Sequence, residues 1–526
     1  MVGSYGTVAL SFTMLSFLLS CNNKEGDITD PGEPPVEISF DLTRNYQMIK
    51  GFGASDAWSA QFVGKNWPEE KRSRIADLLF SLETREDGSP AGIGLSSWRF
   101  NIGGGSAEQG PDSQIQDEWR RAECFLNENG EFDWNRQEGQ VWFLREAGER
   151  GVESFTGFVN SPPVHYTKNN KAWSDDGFSS NLANENYAKY ADFLAKVVIG
   201  LEELTGVTLN FISPLNEPQW DWKCCGQEGS PWNNSEIAAI VRSIDSTFVA
   251  NGITSRIEVT DAGQIDYLYE STGNPNRSNQ LRTFFDAVSS NYIGDLPSVA
   301  PKIAGHSYWT TWDLDWLINS RLMLHQRLNQ IDPDLEYWMT EYALLENNEE
   351  VTGNGRDLGI DPALYMARII HSDMVIANAS AWEWWLAISP YDYKDGLVYI
   401  DYDKNDGNVY ESKMLWSLGH YSRFVRPGMK RIETIRTVPV TISGSLSGLM
   451  ESAYISDTAD RLVVVFVNYL AVDKKVKFAG LSGTFSNVSV YQTTASENDN
   501  LRLVTSSGIN EVINIPKRGI ITCLIE

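Results

Sequence analysis

Two short segments of this 526-residue chain hold residues that could break an acetal bond: Leu215-Asn216-Glu217-Pro218 and Trp338-Met339-Thr340-Glu341-Tyr342. Each glutamate closes a run of strand character. Each run sits in an alternation of strand-like and helix-like stretches. Two carboxylates at one rim of a parallel barrel are what glycosidic cleavage requires, one as acid and one as nucleophile. A lone glutamate at a strand end says little. Two of them, on the fourth and seventh strands of a ring of eight, face each other across its mouth, and Asn216 directly precedes the first.

In such a barrel the chemistry sits at the C-terminal ends of the strands. Those ends, taken in order, hold Asp56 and Trp58, Arg99 and Asn101, Asn160 and Ser161, Asn216 and Glu217, Asp261, His306 and Tyr308, Glu341 and Tyr342, then Trp384 and Trp385. The set is polar and aromatic. Trp58, Trp220, Trp222, Trp309 and Trp385 lie at or just after strand ends, where indoles could stack on sugar faces or simply pack the rim. Glu383 also lies on the eighth strand, beside the seventh and not opposite it. It is read as structural.

The elements that must position these groups are legible as periodicity. Strand-like segments run over 51–58, 96–102, 154–160, 209–215, 256–261, 302–308, 336–342 and 381–386. Helix-like stretches between them cover 68–82, 184–204, 235–251 (with Ser235 as cap), 316–330, 362–377 and 410–424. The pattern predicts an α/β fold, a closed (β/α)8 TIM barrel over residues 49–426. An open doubly wound sheet is the rival, but no dinucleotide fingerprint follows the first strand. Gly103-Gly104-Gly105 lacks phosphate-loop spacing and reads as a loop in close contact with a neighbour. The segment from Asp401 to Gly407 reads as a hairpin turn, because its glycine is misplaced for a calcium loop.

Residues 427–526 change texture. Short β-rich runs alternate with Ser, Gly and Asn, the pattern of an antiparallel β-sandwich. An early strand over 37–48 would complete it, so the sandwich is expected to be built from both chain ends.

Composition narrows the partners. Forty-three Lys plus Arg against 70 Asp plus Glu give a net charge of −27, which disfavours nucleic acid and anionic membranes. The apolar run from Val8 to Leu19 is too short to span a membrane and ends in Leu18-Leu19-Ser20-Cys21, similar to a bacterial lipobox, although Met1 to Thr7 carry no basic residue. Residues 1–21 are therefore expected to be a lipoprotein-type signal and 22–36 a flexible tether. Cys21 would anchor the chain in the cell envelope, as an outer-membrane or periplasmic lipoprotein, with plain secretion as the alternative. Cys124, Cys224, Cys225 and Cys523 fit neither a disulfide framework nor a zinc site. They are read as buried or loop thiols, with one disulfide among them left open. No cofactor or metal is expected.

Asn216-Glu217-Pro218 and Thr340-Glu341-Tyr342 resemble the clan A glycoside hydrolases. Gly51-Phe52-Gly53, Ser97-Trp98-Arg99-Phe100-Asn101 and Asn160-Ser161-Pro162-Pro163 narrow the resemblance to glycoside hydrolase family 30. Asp56-Ala57-Trp58 and Gly226-Gln227-Glu228-Gly229 are most similar to its endo-β-1,6-galactanase branch. The resemblance implies a retaining double displacement, with Glu217 as acid/base and Glu341 as nucleophile. It implies Arg99 and Tyr308 as donors to Glu341 and a hydrogen bond between Asn216 and the 2-hydroxyl of the sugar at the cleavage site. His306 is either another rim donor or a structural histidine. Asp56, Trp58, Asn160, Trp220 and Trp385 complete the expected substrate-binding set. The expected partner is a β-linked polysaccharide or oligosaccharide. Glucuronoxylanase, β-1,6-glucanase and exo-β-glycosidase activities are the rivals. A non-catalytic carbohydrate-binding surface protein is the rival class.

Overall fold

The computed structural model describes residues 34–481 and 483–526. The expected signal segment, Cys21 and nearly all of the tether lie outside the described residues. Pro35–Glu526 forms one compact unit.

Its centre is an eight-stranded sheet. In chain order the strands are Gly51–Ser55, Ser97–Asn101, Ser154–Phe158, Phe211–Ser213, Arg256–Ile257, Lys302–Gly305, Glu336–Met339 and Ala381–Trp384. Neighbours pair in parallel, and the first strand also pairs with the eighth through Gly51–Ala381 and Ala54–Trp384. Parallel bridges Ile257–Val299 and Ala262–Gly305 join the fifth and sixth strands and close the ring. This is the expected (β/α)8 barrel. The ladder stops earlier than the sequence runs do. It ends at Ser213, Gly305 and Met339, so Glu217, His306 and Glu341 all follow in irregular backbone.

Helices Glu69–Phe80, Glu138–Glu149, Tyr187–Thr205, Asn234–Asn251, Leu314–Ile331, Ile360–Val375 and Lys413–Ser422 wrap the barrel. Tyr187–Thr205 buries Tyr190, Ala191, Leu194, Val198 and Leu201, the three-and-four spacing of one apolar face. Glu138–Glu149 escapes the sequence reading because Gly139 and Gly148 weaken its helical signature. The cap of Asn234–Asn251 is Asn233 and not Ser235. Asn233 and Glu236 form a reciprocal capping box, which satisfies two otherwise unpaired N–H groups. Val409–Glu411 pairs with Gly396–Ile400 as a hairpin, so the last helix starts later than its periodicity suggests.

The attached sheet has nine strands. Val36–Met48 lies in it between Lys430–Arg436 and Lys474–Phe478, antiparallel to the first and parallel to the second. Every other pairing in that sheet is antiparallel among the described residues. Leu462–Asn468 is buried on both faces. Val464 and Phe466 join the sandwich core. Val463, Val465 and Val467 join the barrel core. Alternation of strand side chains thus explains its unbroken apolar run: each parity feeds a different core.

Candidate active site

Glu217 lies four residues past the end of the fourth strand in left-handed backbone, φ 45°. Its amide donates to the Asp261 carbonyl at 2.8 Å. Asp261 itself has φ 47°, and the cavity-lining Trp222 and Trp309 have φ 47° and 60°. Non-glycine residues in this region are strained, and strain persists where surrounding structure holds it for a function.

Glu341 follows the seventh strand. The Arg99 guanidinium, fully buried on the second strand, donates to Glu341 Oε2 at 3.1 Å and to Asp261 Oδ2 at 3.2 Å. Its Nε lies 3.6 Å from Glu383 Oε2. The guanidinium lies over the Phe158 ring, 4.2 Å from its centroid. Tyr308 donates its hydroxyl to Glu341 Oε1 at 3.2 Å. Glu341 therefore meets the two donors expected of it.

His306 is buried at the crossing point. Its Nδ1 is 3.0 Å from Glu217 Oε1 and 3.7 Å from Glu341 Oε1, and its Nε2 is 3.5 Å from Asp261 Oδ1. Burial alone disfavours its charge, but Glu341, Asp261 and Glu217 outweigh burial and push it up to about 10. The carboxylates around it thus favour the charged form of His306. Burial pushes Glu341 upward and Glu217 adds to this, while His306 and Arg99 pull the other way. Asp261 is also buried, yet Arg99, His306 and Ser213 together hold it well below the usual carboxylate range. The hydroxyls of Ser213 and Thr340 donate to it. The strand-end pattern includes Asp261 but gives no sign that it ties Arg99 to His306.

Glu217, His306 and Glu341 are the one group among the described residues whose ligand atoms could converge on a metal ion. His306 could serve as a ligand there only in its neutral form.

A cavity of about 700 Å³ opens above these groups. Of the residues expected at the site, Trp58, Glu217, Trp220, Tyr308, Glu341 and Trp385 line it. Trp58 and Trp385 meet edge to face at 5.3 Å. Asn160 and Asn216 are buried beside the strand ends; both amide atoms of Asn160, Asn216 Oδ1 and Trp58 Nε1 have no protein partner among the described residues. Such atoms are costly unless a ligand or solvent meets them. Asp56 is placed differently. Its Oδ1 accepts from the Asn101 amide at 2.7 Å and from Gln140 Nε2 at 3.1 Å, and burial pushes it up to about 8. It sits among these neighbours and does not line the cavity.

The sequence reading omits Arg120, Tyr267, Tyr391 and Asp395, which also line the cavity. They come from short helical turns, Glu118–Arg120 and Asp266–Tyr269, and from the short connection 390–395, which are too brief for a periodicity to mark direction. Two glycines shape the aromatic wall. A Cβ on Gly229 would lie 2.3 Å from the Trp222 ring, and one on Gly263 would lie 2.5 Å from Trp220 Nε1. Trp222 Nε1 donates to the Glu217 carbonyl at 2.8 Å, so this indole braces the same backbone. Glu228 accepts the amides of Gly104 and Ser106 at 2.8 and 3.0 Å, tying the triple-glycine loop to the loop after the fourth strand. Cys224 and Cys225 are adjacent in that loop with their sulfurs side by side, while Cys124 and Cys523 are buried free thiols.

Paired carboxylates at the C-terminal rim of a (β/α)8 barrel, beneath an aromatic cavity, define a glycoside-cleaving enzyme of the barrel class. The sequence model described as O-Glycosyl hydrolase family 30 matches residues 35–399, and the chain belongs to that family. It is thus an O-glycosyl hydrolase with a carbohydrate substrate. An endo-β-1,6-galactanase of Hypocrea rufa is 22% identical over 497 residues, 90% of each chain. The glucuronoxylanase XynC of Bacillus subtilis (strain 168) is 24% identical, over 98% of this chain and 96% of that one. The crystal structure of a conserved exported protein from Bacteroides fragilis is 33% identical, with a TM-score of 0.88 over 93% of this chain and 99% of the other.

Proposed function

We propose that the protein cleaves a β-linked galactan internally, with retention of anomeric configuration. The observation that carries retention is the closeness of the two carboxylates. Oxygens of Glu217 and Glu341 lie within 4.8 Å of each other. A retaining pair stands about 5–5.5 Å apart, whereas an inverting pair needs about 6.5–9.5 Å to admit a water.

In the first step a Glu341 oxygen attacks the anomeric carbon. The bond to the leaving oxygen breaks, and that oxygen takes the proton of the Glu217 carboxyl. Arg99 and Tyr308 aim Glu341, and His306, with Nδ1 3.0 Å from Glu217 Oε1, positions Glu217. In the second step Glu217 removes a proton from water. The water oxygen bonds the anomeric carbon, and the ester to Glu341 breaks. Asn216 Oδ1 and both amide atoms of Asn160, buried without a protein partner beside the strand ends, are the groups the proposal assigns to sugar hydroxyls.

Support for galactan comes from the galactanase relative and from the Gly226–Gly229 and Asp56–Trp58 segments. Indoles of Trp58, Trp220, Trp222, Trp309 and Trp385 give stacking surfaces for a neutral polymer. The test is digestion of debranched arabinogalactan beside glucuronoxylan and β-1,6-glucan, with product sizing. Galacto-oligosaccharides of mixed length are expected early. Xylo-oligosaccharides from glucuronoxylan would replace the galactan reading with the other relative's activity, and monosaccharide alone would replace internal cleavage with terminal release.

Export belongs to the same proposal, with Cys21 as the lipid-bearing residue. The lipobox-like segment and the exported neighbour support it. Cys21→Ser is expected to abolish lipid labelling. Labelling that persists would contradict the anchor.

A further inference from the structure

Glu383 is fully buried on the eighth barrel strand, and the two-step reaction leaves it without a task. Its Oε1 accepts the Ser97 hydroxyl from the second strand. Its Oε2 lies 3.6 Å from Arg99 Nε. Neither that Oε2 nor that Nε has a hydrogen-bond partner among the described residues. Two buried groups of opposite charge thus face each other, each with hydrogen-bonding capacity unspent. Nearby, Lys302 opens the sixth strand and pairs with Glu258, both fully buried, and its ammonium lies over the rings of Phe211 and Trp338.

A carboxylate is a costly filler for a barrel interior, because buried charge destabilises unless it is paired. Burial pushes Glu383 up to about 7 and Glu258 adds to this, while Arg99, Ser97 and Lys302 pull it down. Burial also disfavours the charge on Arg99, but Asp261, Glu341, Glu383 and Glu258 outweigh it. Glu383 is therefore bound electrostatically to the arginine that holds Glu341. The geometry gives that link a direction. The guanidinium meets Glu341 through Nη1 and Asp261 through Nη2. Two contacts leave its plane able to pivot about the line that joins them. Nε lies off that line, and Glu383 is the carboxylate that faces it.

We propose that Glu383 is a positioning residue for the nucleophile. It anchors the third edge of the Arg99 guanidinium, and through Arg99 it sets the direction of the Glu341 carboxylate. A planar fork passes such a constraint from one edge to another, because its three nitrogens move as one body. Glu383 itself touches neither sugar nor reacting atoms. The inference rests on the reading of Glu341 as nucleophile.

The test uses full-length enzyme and 2,4-dinitrophenyl 2-deoxy-2-fluoro-β-glycosides of galactose, xylose and glucose. The fluorine slows both steps and the good leaving group spares the first, so the ester on the nucleophile accumulates. Peptide mass spectrometry locates it, and in the wild type it should fall on Glu341. Glu383→Gln keeps the shape and the Ser97 contact but removes the charge. It is expected to slow labelling roughly tenfold, with the reagent concentration for half-maximal rate unchanged. In an Arg99→Lys background, where the fork is already gone, the same change should slow labelling by less than about twofold. Thermal melting reports that each variant is folded. Ser97→Ala, which frees the same carboxylate, should give a smaller loss of the same kind and serves if the Glu383 variant does not fold. Labelling of Glu383→Gln at the wild-type rate, or an equal loss in both Arg99 backgrounds, would overturn the positioning role. A wild type labelled elsewhere than Glu341, or not at all, would instead contradict the nucleophile reading and the inference with it.

Discussion

Arg99 is where the orientation of the nucleophile is decided. It reaches Glu341, Asp261 and Glu383 from one planar fork, which a single ammonium cannot imitate. Arg99→Lys is therefore expected to lower turnover by about tenfold or more while shifting the melting temperature only slightly. Unaltered kinetics would remove Arg99 from the site. His306 gives a pH signature. Its folded value near 10 lies above the ordinary 6.5. A group raised on folding stabilises the native state fully below its unfolded value and loses that contribution as pH climbs through its folded value. Melting temperature should therefore fall between about pH 7 and pH 10, and His306→Gln should flatten that slope. An equal slope in the variant would mean that another group sets it. At this scale much was readable in advance. Glu217, Glu341 and Tyr308 follow strand ends and Arg99 lies within a strand, so the strand pattern marks their rim even where the backbone beyond the ladder is irregular. The dual role of Asp261 was not readable, because it depends on four other strands arriving around it.

The loops after the strands decide the shape of the cavity. Trp222 is braced by its bond to the Glu217 carbonyl and packs on bare Gly229. Gly229→Ala must push that indole away, and overpacking of this kind costs about 1–3 kcal/mol. Cleavage efficiency on the polysaccharide should drop several-fold, with a shift in tryptophan emission. If both stay as in the wild type, Trp222 yields freely and does not shape the cavity. Strands and most helices were legible because each has one dominant period. Arg120, Tyr391 and Asp395 were not, since a three-residue turn and the short connection 390–395 carry no period and their arrival in one cavity wall is a tertiary event. Glu138–Glu149 was hidden for a different reason, the two glycines inside it.

At the scale of the molecule, the barrel and the sandwich share the strand Leu462–Asn468, whose two faces feed the two cores. Shared burial couples their stabilities, so calorimetry should give one unfolding transition for the unit. Two well-separated transitions would contradict the coupling. The unbroken valine run marked this strand in the sequence, but only packing shows that both sides are used. The central claim remains the division of labour between Glu217 and Glu341. The most direct test places azide in the site of each alanine variant, with an activated aryl β-glycoside as substrate. Glu341→Ala leaves room for azide on the nucleophile's side and should yield the α-glycosyl azide. Glu217→Ala keeps the covalent step and should yield the β-glycosyl azide. The same anomer from both variants, or the reverse assignment, would contradict the account.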